Sequence, residues 1–288
     1  MSAPPPLAGW WHERRETLGL TMVFDMACVR RERTARHDVE IFEHTRFGRA
    51  LAVDGVLQSV EQDAALREML VHVPVLGRMH PPRRVLLVGE DVAALAEVLR
   101  HDVETVIVWT DDPALLKVGA DALELGASLR DSRVSVRQLA PGRPLRGTDG
   151  TPFDLVVVAS ADLRRPAPGG SRHALVMGEA IAGAIAGDGL VVDSDLAILL
   201  QHRPRWYRDA PGAGPSLLTA VRKEGVLPSV ERYFTTSSLA PGGFLGFFIY
   251  SRRGASCATP RVRFEGSHYN AELHRSAFAL PTFWSKLP

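Results

Sequence analysis

Short, near-continuous apolar runs recur through the middle of the chain: RRVLLVG from Arg83, ETVIVW from Glu104, and FDLVVVA from Phe153. Between them VAALAEVLRH and ALLKVGADALELG place their apolar residues at helical spacing, and RVSVRQL adds another extended run. Strands that are apolar on both faces and separated by helices predict a parallel sheet covered on each side, an α/β fold. Further on, HALVMGEAIAGAIAGDG reads as a helix leading into the strand GLVVDSD, and VERYFTT with GGFLGFFIYS as a late pair of strands. GGFLGFFIY is too short to span a bilayer and fits a buried strand.

The pattern differs before residue 60. LTMVFDMACV, HDVEIFEHT and GRALAVDGVLQSV alternate apolar with polar positions and are separated by charged or Gly-containing turns, which predicts a small sheet. In residues 61–78 the period changes. Leu66, Met69, Leu70 and Val73 fall on one side of a helix with Pro74 near its end. The expected organisation is an N-terminal β domain over 1–60 and a Rossmann-like domain over 61–288. RRPAPGGSRH at 164–173 reads as a loop, and QHRPRWYRDAPGAGPSL at 201–217 as an insertion or flexible edge.

Composition narrows the function classes. The 34 Lys and Arg against 33 Asp and Glu leave a formal charge of +1, which calls for no nucleic acid or anionic membrane. Cys28 and Cys257 are too few for a disulfide scaffold, and the 10 His fall in no ligand spacing such as HExxH, so no metal is expected. The opening MSAPPPLAG lacks a signal core, and a cytoplasmic protein is the expectation.

In an open α/β sheet a ligand is expected at the carboxyl ends of the strands, where Gly89 and Asp91 follow RRVLLV. GEDVAA is not GxGxxG, so a dinucleotide fingerprint is missing, whereas a nucleoside without pyrophosphate is compatible with it. Asp91 suits a cationic amine, and Asp111 or Asp112 a ribose. These acids suit helix capping equally, with Pro113 entering the next helix. Trp109 is open to two roles, stacking on a base or packing in the core.

The order FEHTRFGRALAVDGVLQSVEQD, REMLVHVP, RRVLLVGEDVAALAEVLRH, FDLVVVASADL and HYNAELHRSAFALPTF, running from Trp11 to Phe283, resembles the polyamine aminopropyltransferase, or spermidine synthase, family. The resemblance implies a class I methyltransferase-like Rossmann fold with a small N-terminal β domain, and a homodimer or an association with an active relative. It further implies decarboxylated S-adenosylmethionine as co-substrate and a diamine as acceptor. In that chemistry a neutral amine attacks the carbon beside sulfonium and releases methylthioadenosine, which requires positioned carboxylates and an acceptor for the amine's proton.

Carried over residue by residue, the resemblance puts Gly89, Asp91, Thr110 and Asp112 on the donor side, with Asp91 at the donor's aminopropyl ammonium. Arg67, Asp193 and Ala240 fall on the acceptor side, and Asp162 is the remaining catalytic carboxylate. The family's GGGDGG loop is GEDVAA here, its ribose acid is Thr110, and the first acid of its DSSD or DSTD stretch is Ala159. Its YHEM or YQEM element is Leu66-Arg67-Glu68-Met69, and the aromatic of PTYPGG is Ala240. His37 stands where a donor-contacting glutamine is usual, Asp195 replaces an acceptor-side glutamate, and Gln58 is kept. Two readings result: a divergent spermidine synthase-like protein without standard aminopropyl transfer, or a noncanonical aminopropyltransferase acting on another amine.

Overall fold

The computed structural model describes residues 10–15, 20–138, 150–159, 178, 180–195, 226–237 and 244–282. The apolar runs form the centre of a seven-stranded sheet. Its strands are β7 (Arg84–Val88), β8 (Thr105–Thr110), β9 (Val134–Gln138), β10 (Phe153–Val158), β11 (Ile185–Asp195), β12 (Ser229–Thr236) and β13 (Phe244–Ser251). They lie in the order β12-β13-β11-β10-β7-β8-β9, parallel except for β13, which runs antiparallel to both neighbours.

The chain therefore winds outward in both directions from β7 and β10, the place where such a sheet opens a crevice at its carboxyl edge. Register fixes what meets there. Val88 is paired with Trp109 on one side and Val158 on the other, and Val158 with Asp193. Alternation then assigns faces: Val85, Leu87, Val157 and Ala159 join the core under the first helices, while Leu86, Val88, Val156 and Val158 join the core on the opposite face.

The helices on the first face are α1 (Ala65–Gly77), α2 (Val92–Leu99), α3 (Pro113–Ala122) and α4 (Gly126–Leu129). α1 is buried all round, Pro74 included, because the sheet, α2 and the C-terminal segment enclose it. The run ALLKVGADALELG, expected as one helix, is divided. Glu124 adopts φ 56°, and the Leu125 N–H turns back to the Ala120 carbonyl, ending α3 as a left-handed cap does. The helix expected across 173–189 also ends early: residues 180–184 are helical, but β11 already starts at Ile185. Ala and Gly there give no periodicity strong enough to override sheet pairing. GGFLGFFIYS is a strand, as its length suggested.

The N-terminal region is antiparallel. β1 (Trp11–Arg15) pairs with β2 (Leu20–Phe24), and β3 (Ala27–Arg33), β4 (Asp38–His44), β5 (Gly48–Val53) and β6 (Val56–Val60) form a four-stranded meander. Asp54 and Gly55, at φ 49° and 74°, make the tight β5–β6 turn. Val39, Ile41, Leu51 and Val53 pack on Leu115, Val118 and Ala122 of α3, which brings the meander to the sheet's carboxyl edge. No helix among the described residues is long and apolar enough to cross a membrane.

The C-terminal segment, ending in α5 (Ala271–Ser276), closes the back of α1. Glu68, only 1% exposed, accepts backbone N–H bonds from Ser267 (2.8 Å), His268 (2.9 Å) and Tyr269 (2.6 Å). Gly77 has the Cys257 backbone where a side chain would begin. Beside them His72 Nδ1 lies 2.9 Å from His101 Nε2, and Phe264 stacks on His101.

Burial foremost, then the neighbouring His72 and Arg100, pushes the His101 imidazole down to about 3, while Glu97 opposes them. Below the ordinary imidazole value the unfolded chain takes up a proton that the folded one refuses. This contribution is therefore complete above pH 6.5 and is lost as pH falls toward 3. We predict that the unfolding free energy from urea titrations drops across that window with a slope of about 1.4 kcal/mol per pH unit from this group. In His101→Gln that slope should be missing; an unchanged profile would remove His101 as the cause.

Candidate functional site

The carboxyl ends of β7 and β8 bring several expected residues together. Gly89, at φ 123°, turns the chain out of β7 while its N–H bonds to the Trp109 carbonyl at 2.8 Å. Only glycine accepts such a φ without strain. Asp91 caps α2, its Oδ1 accepting from the Ala93 and Ala94 N–H groups, both at 3.1 Å. Asp112 caps α3 in the same way, accepting from Leu115 at 3.1 Å with Pro113 at the first helical position. The capping role open to both acids is thus realised. Trp109 lies in the core with Leu86 and Ile107.

Neither cap is only a cap. Asp91 Oδ2 receives the Arg67 Nε at 2.9 Å, and Arg67 Nη2 bonds to the Gln58 carbonyl of β6. The side chains of this ion pair are 8% and 11% exposed, so it is dry enough for the charges to matter. Arg67, placed on the acceptor side by the resemblance, therefore sits on the carboxylate expected to hold the donor's ammonium. α1 delivers it there because residues 66 and 69 are fixed in the core on either side of it.

At β8, Thr110 is buried, and its hydroxyl donates to Glu90 Oε1 at 2.8 Å while accepting the Asp112 N–H at 2.9 Å. Nothing in the sequence pattern marks Glu90. It comes directly after Gly89 in the β7 turn, and its carboxylate reaches the strand end where Thr110 supplies only a hydroxyl. The signal that could have found it is register: Val88 stands beside Trp109, so the residues just beyond them are neighbours.

The meander adds polar groups from the other side. Thr34 donates to Asp112 Oδ2, Arg36 pairs with Asp111 at 3.0 Å, and His37 Nδ1 lies 2.8 Å from Asp54 Oδ2. Just past β10, Ala159 is 3% exposed and faces the α1 side of the sheet, so the position that the resemblance matches to a proton acceptor holds a methyl group among apolar neighbours. Asp193, two residues before the end of β11, lies beside Val158, buried at 7% exposure and not free of partners. Asp162 and Ala240 lie outside the described residues, and the Asp195 side chain does too.

Among the described residues one group approaches metal-ligand spacing: Glu68, His72 and Glu97, with donor atoms within 4.8 Å of one another. Glu68 already accepts three backbone N–H bonds, and Arg100 Nη1 lies 2.8 Å from Glu97 and 3.6 Å from Glu68. A guanidinium supplies the positive charge there, which makes the group a structural one.

No protein-family model matches the chain. Among curated proteins, it is 31% identical over 265 residues to the spermidine synthase of Dictyostelium discoideum, covering 88% of each chain. The chain belongs to the spermidine synthase family. A polyamine aminopropyltransferase of Bacillus subtilis is 26% identical over 287 residues, covering 96% of this chain and 98% of the relative. A crystal structure of spermidine synthase in complex with the transition-state analogue AdoDATO superposes with a TM-score of 0.75, at 22% identity over 99% of this chain and 96% of that one. The Thermotoga maritima spermidine synthase gives the same TM-score at 21% identity. The spermidine synthase fold is therefore present from the meander to α5.

Proposed function

We propose that the chain is a spermidine synthase-like protein that has kept a nucleoside site and does not carry out standard aminopropyl transfer. The observation that carries this is the buried Arg67–Asp91 pair: the acid for the donor's ammonium is occupied by the chain's own guanidinium. An aminopropyl ammonium entering beside Arg67 would put two cations on one desolvated carboxylate. Ala159 adds to the effect, because a methyl group takes no proton from an attacking amine.

The nucleoside half reads differently. Gly89 keeps the turn that lets a ligand approach the backbone, and Glu90 offers a carboxylate beside Thr110, suited to ribose hydroxyls. The alternative of a noncanonical transferase depends on Asp162 replacing the missing proton acceptor. A homodimer, or association with an active relative, accompanies the family resemblance as a proposal.

The test is production of methylthioadenosine from decarboxylated S-adenosylmethionine with a panel of diamines, run beside an active family member. The expected rate is lower by at least about 10²-fold, the low end of what a positioned acid or base contributes. A rate within tenfold of the active enzyme with any diamine would overturn the reading.

A further inference from the structure

The Arg67–Asp91 pair closes the site to one kind of ligand and shapes it for another, an inference that rests on the nucleoside site proposed above. Three of the bonding directions on Asp91 are used, two on Oδ1 by Ala93 and Ala94 and one on Oδ2 by Arg67. That leaves Oδ2 with room for one more donor. Arg67 spends Nε on Asp91 and Nη2 on the Gln58 carbonyl. Its Nη1 has no acceptor among the described residues. A carboxylate acceptor and a guanidinium donor thus stand side by side at the helix-capping turn after β7.

A lone ammonium meets a net-neutral pair and must compete with a guanidinium. A zwitterionic α-amino acid head meets it in complementary order, ammonium to Asp91 Oδ2 and carboxylate to Arg67 Nη1, and adds no net charge to a desolvated site. Arg is suited to this because it can hold Asp91 through Nε and still present Nη1 to a second carboxylate, where a lysine would share one ammonium between them. The nucleoside site proposed at Gly89 and Glu90 lies in the same turn. We infer that the site takes an S-adenosyl amino acid, with an intact α-carboxylate, in preference to a decarboxylated donor.

Calorimetry with S-adenosylhomocysteine and methylthioadenosine isolates the clamp, since both are uncharged at sulfur and share the nucleoside. S-Adenosylhomocysteine is expected to bind at least tenfold more tightly. Arg67→Gln should bring the two within threefold of each other while methylthioadenosine binding stays within threefold of its original value, and Arg67→Lys should recover only part of the preference. Thermal melts of each variant establish that it is folded. Equal affinities in the unaltered protein, or a preference that survives Arg67→Gln, would overturn the clamp and leave the nucleoside site standing. Binding of neither ligand would overturn both. Efficient transfer from decarboxylated S-adenosylmethionine would instead strike at the proposed function itself.

Discussion

Glu68→Ala is expected to lower the unfolding free energy by about 3–5 kcal/mol, the range for removing one partner from a buried charged network. Three backbone N–H groups, from Ser267, His268 and Tyr269, would be left without their acceptor inside the protein, and each carries its own desolvation cost. For a chain of this size the thermal midpoint should fall by roughly 10 °C. Glu68→Gln should recover little, because an amide nitrogen would face N–H groups that need an oxygen. Gly266→Ala should act in the same direction, since its methyl group would run into the pinned Glu68 carboxylate. Glu97→Gln is the comparison. Its partners are Arg100 and His72 at the edge of the same group, and a loss below about 1.5 kcal/mol is expected there. Equal losses for Glu68 and Glu97 would mean that ion pairing, and not the backbone nest, holds the segment.

Arg67→Gln combined with Ala159→Asp is expected to raise aminopropyl transfer from decarboxylated S-adenosylmethionine by about 10²-fold or more. The first change frees Asp91 for an ammonium and rebuilds the glutamine of the family's YQEM element. The second puts a carboxylate just past the end of β10, at the position that the resemblance matches to the proton acceptor. Each change alone should give much less, because the donor must be seated before its carbon can be attacked. Methylthioadenosine release against diamine concentration is the measurement, with a thermal melt to account for the cost of an acid where alanine is buried. A folded double variant no faster than the unaltered protein would show that the missing function lies elsewhere.

Much of the fold could be read from pattern because its central strands are apolar on both faces, so that Val85 to Val88, Val106 to Trp109 and Leu155 to Val158 admit few other readings. The start of β11 could not. Ala and Gly at 182–187 fit a helix or a strand, and only pairing with β10 decides between them. In the site, Asp91 is marked as a cap by the helical run after it, and Asp112 by Pro113. The Arg67–Asp91 pair joins residues 24 positions apart, and no local spacing encodes it. Glu90 escaped for a related reason: its partner Thr110 is 20 residues away and adjacent only through the β7–β8 register. The Arg67–Asp91 and Glu90–Thr110 contacts lie across elements, whereas the family likeness is written along them.

The closure of α1 by residues 267–269 also bears on how the protein is made. These N–H groups reach a carboxylate about 200 residues earlier, so the central helix stays open on one side until residues 267–269 have been made. The apolar flank of α1 should therefore stay exposed to chaperones until that segment has emerged and docked.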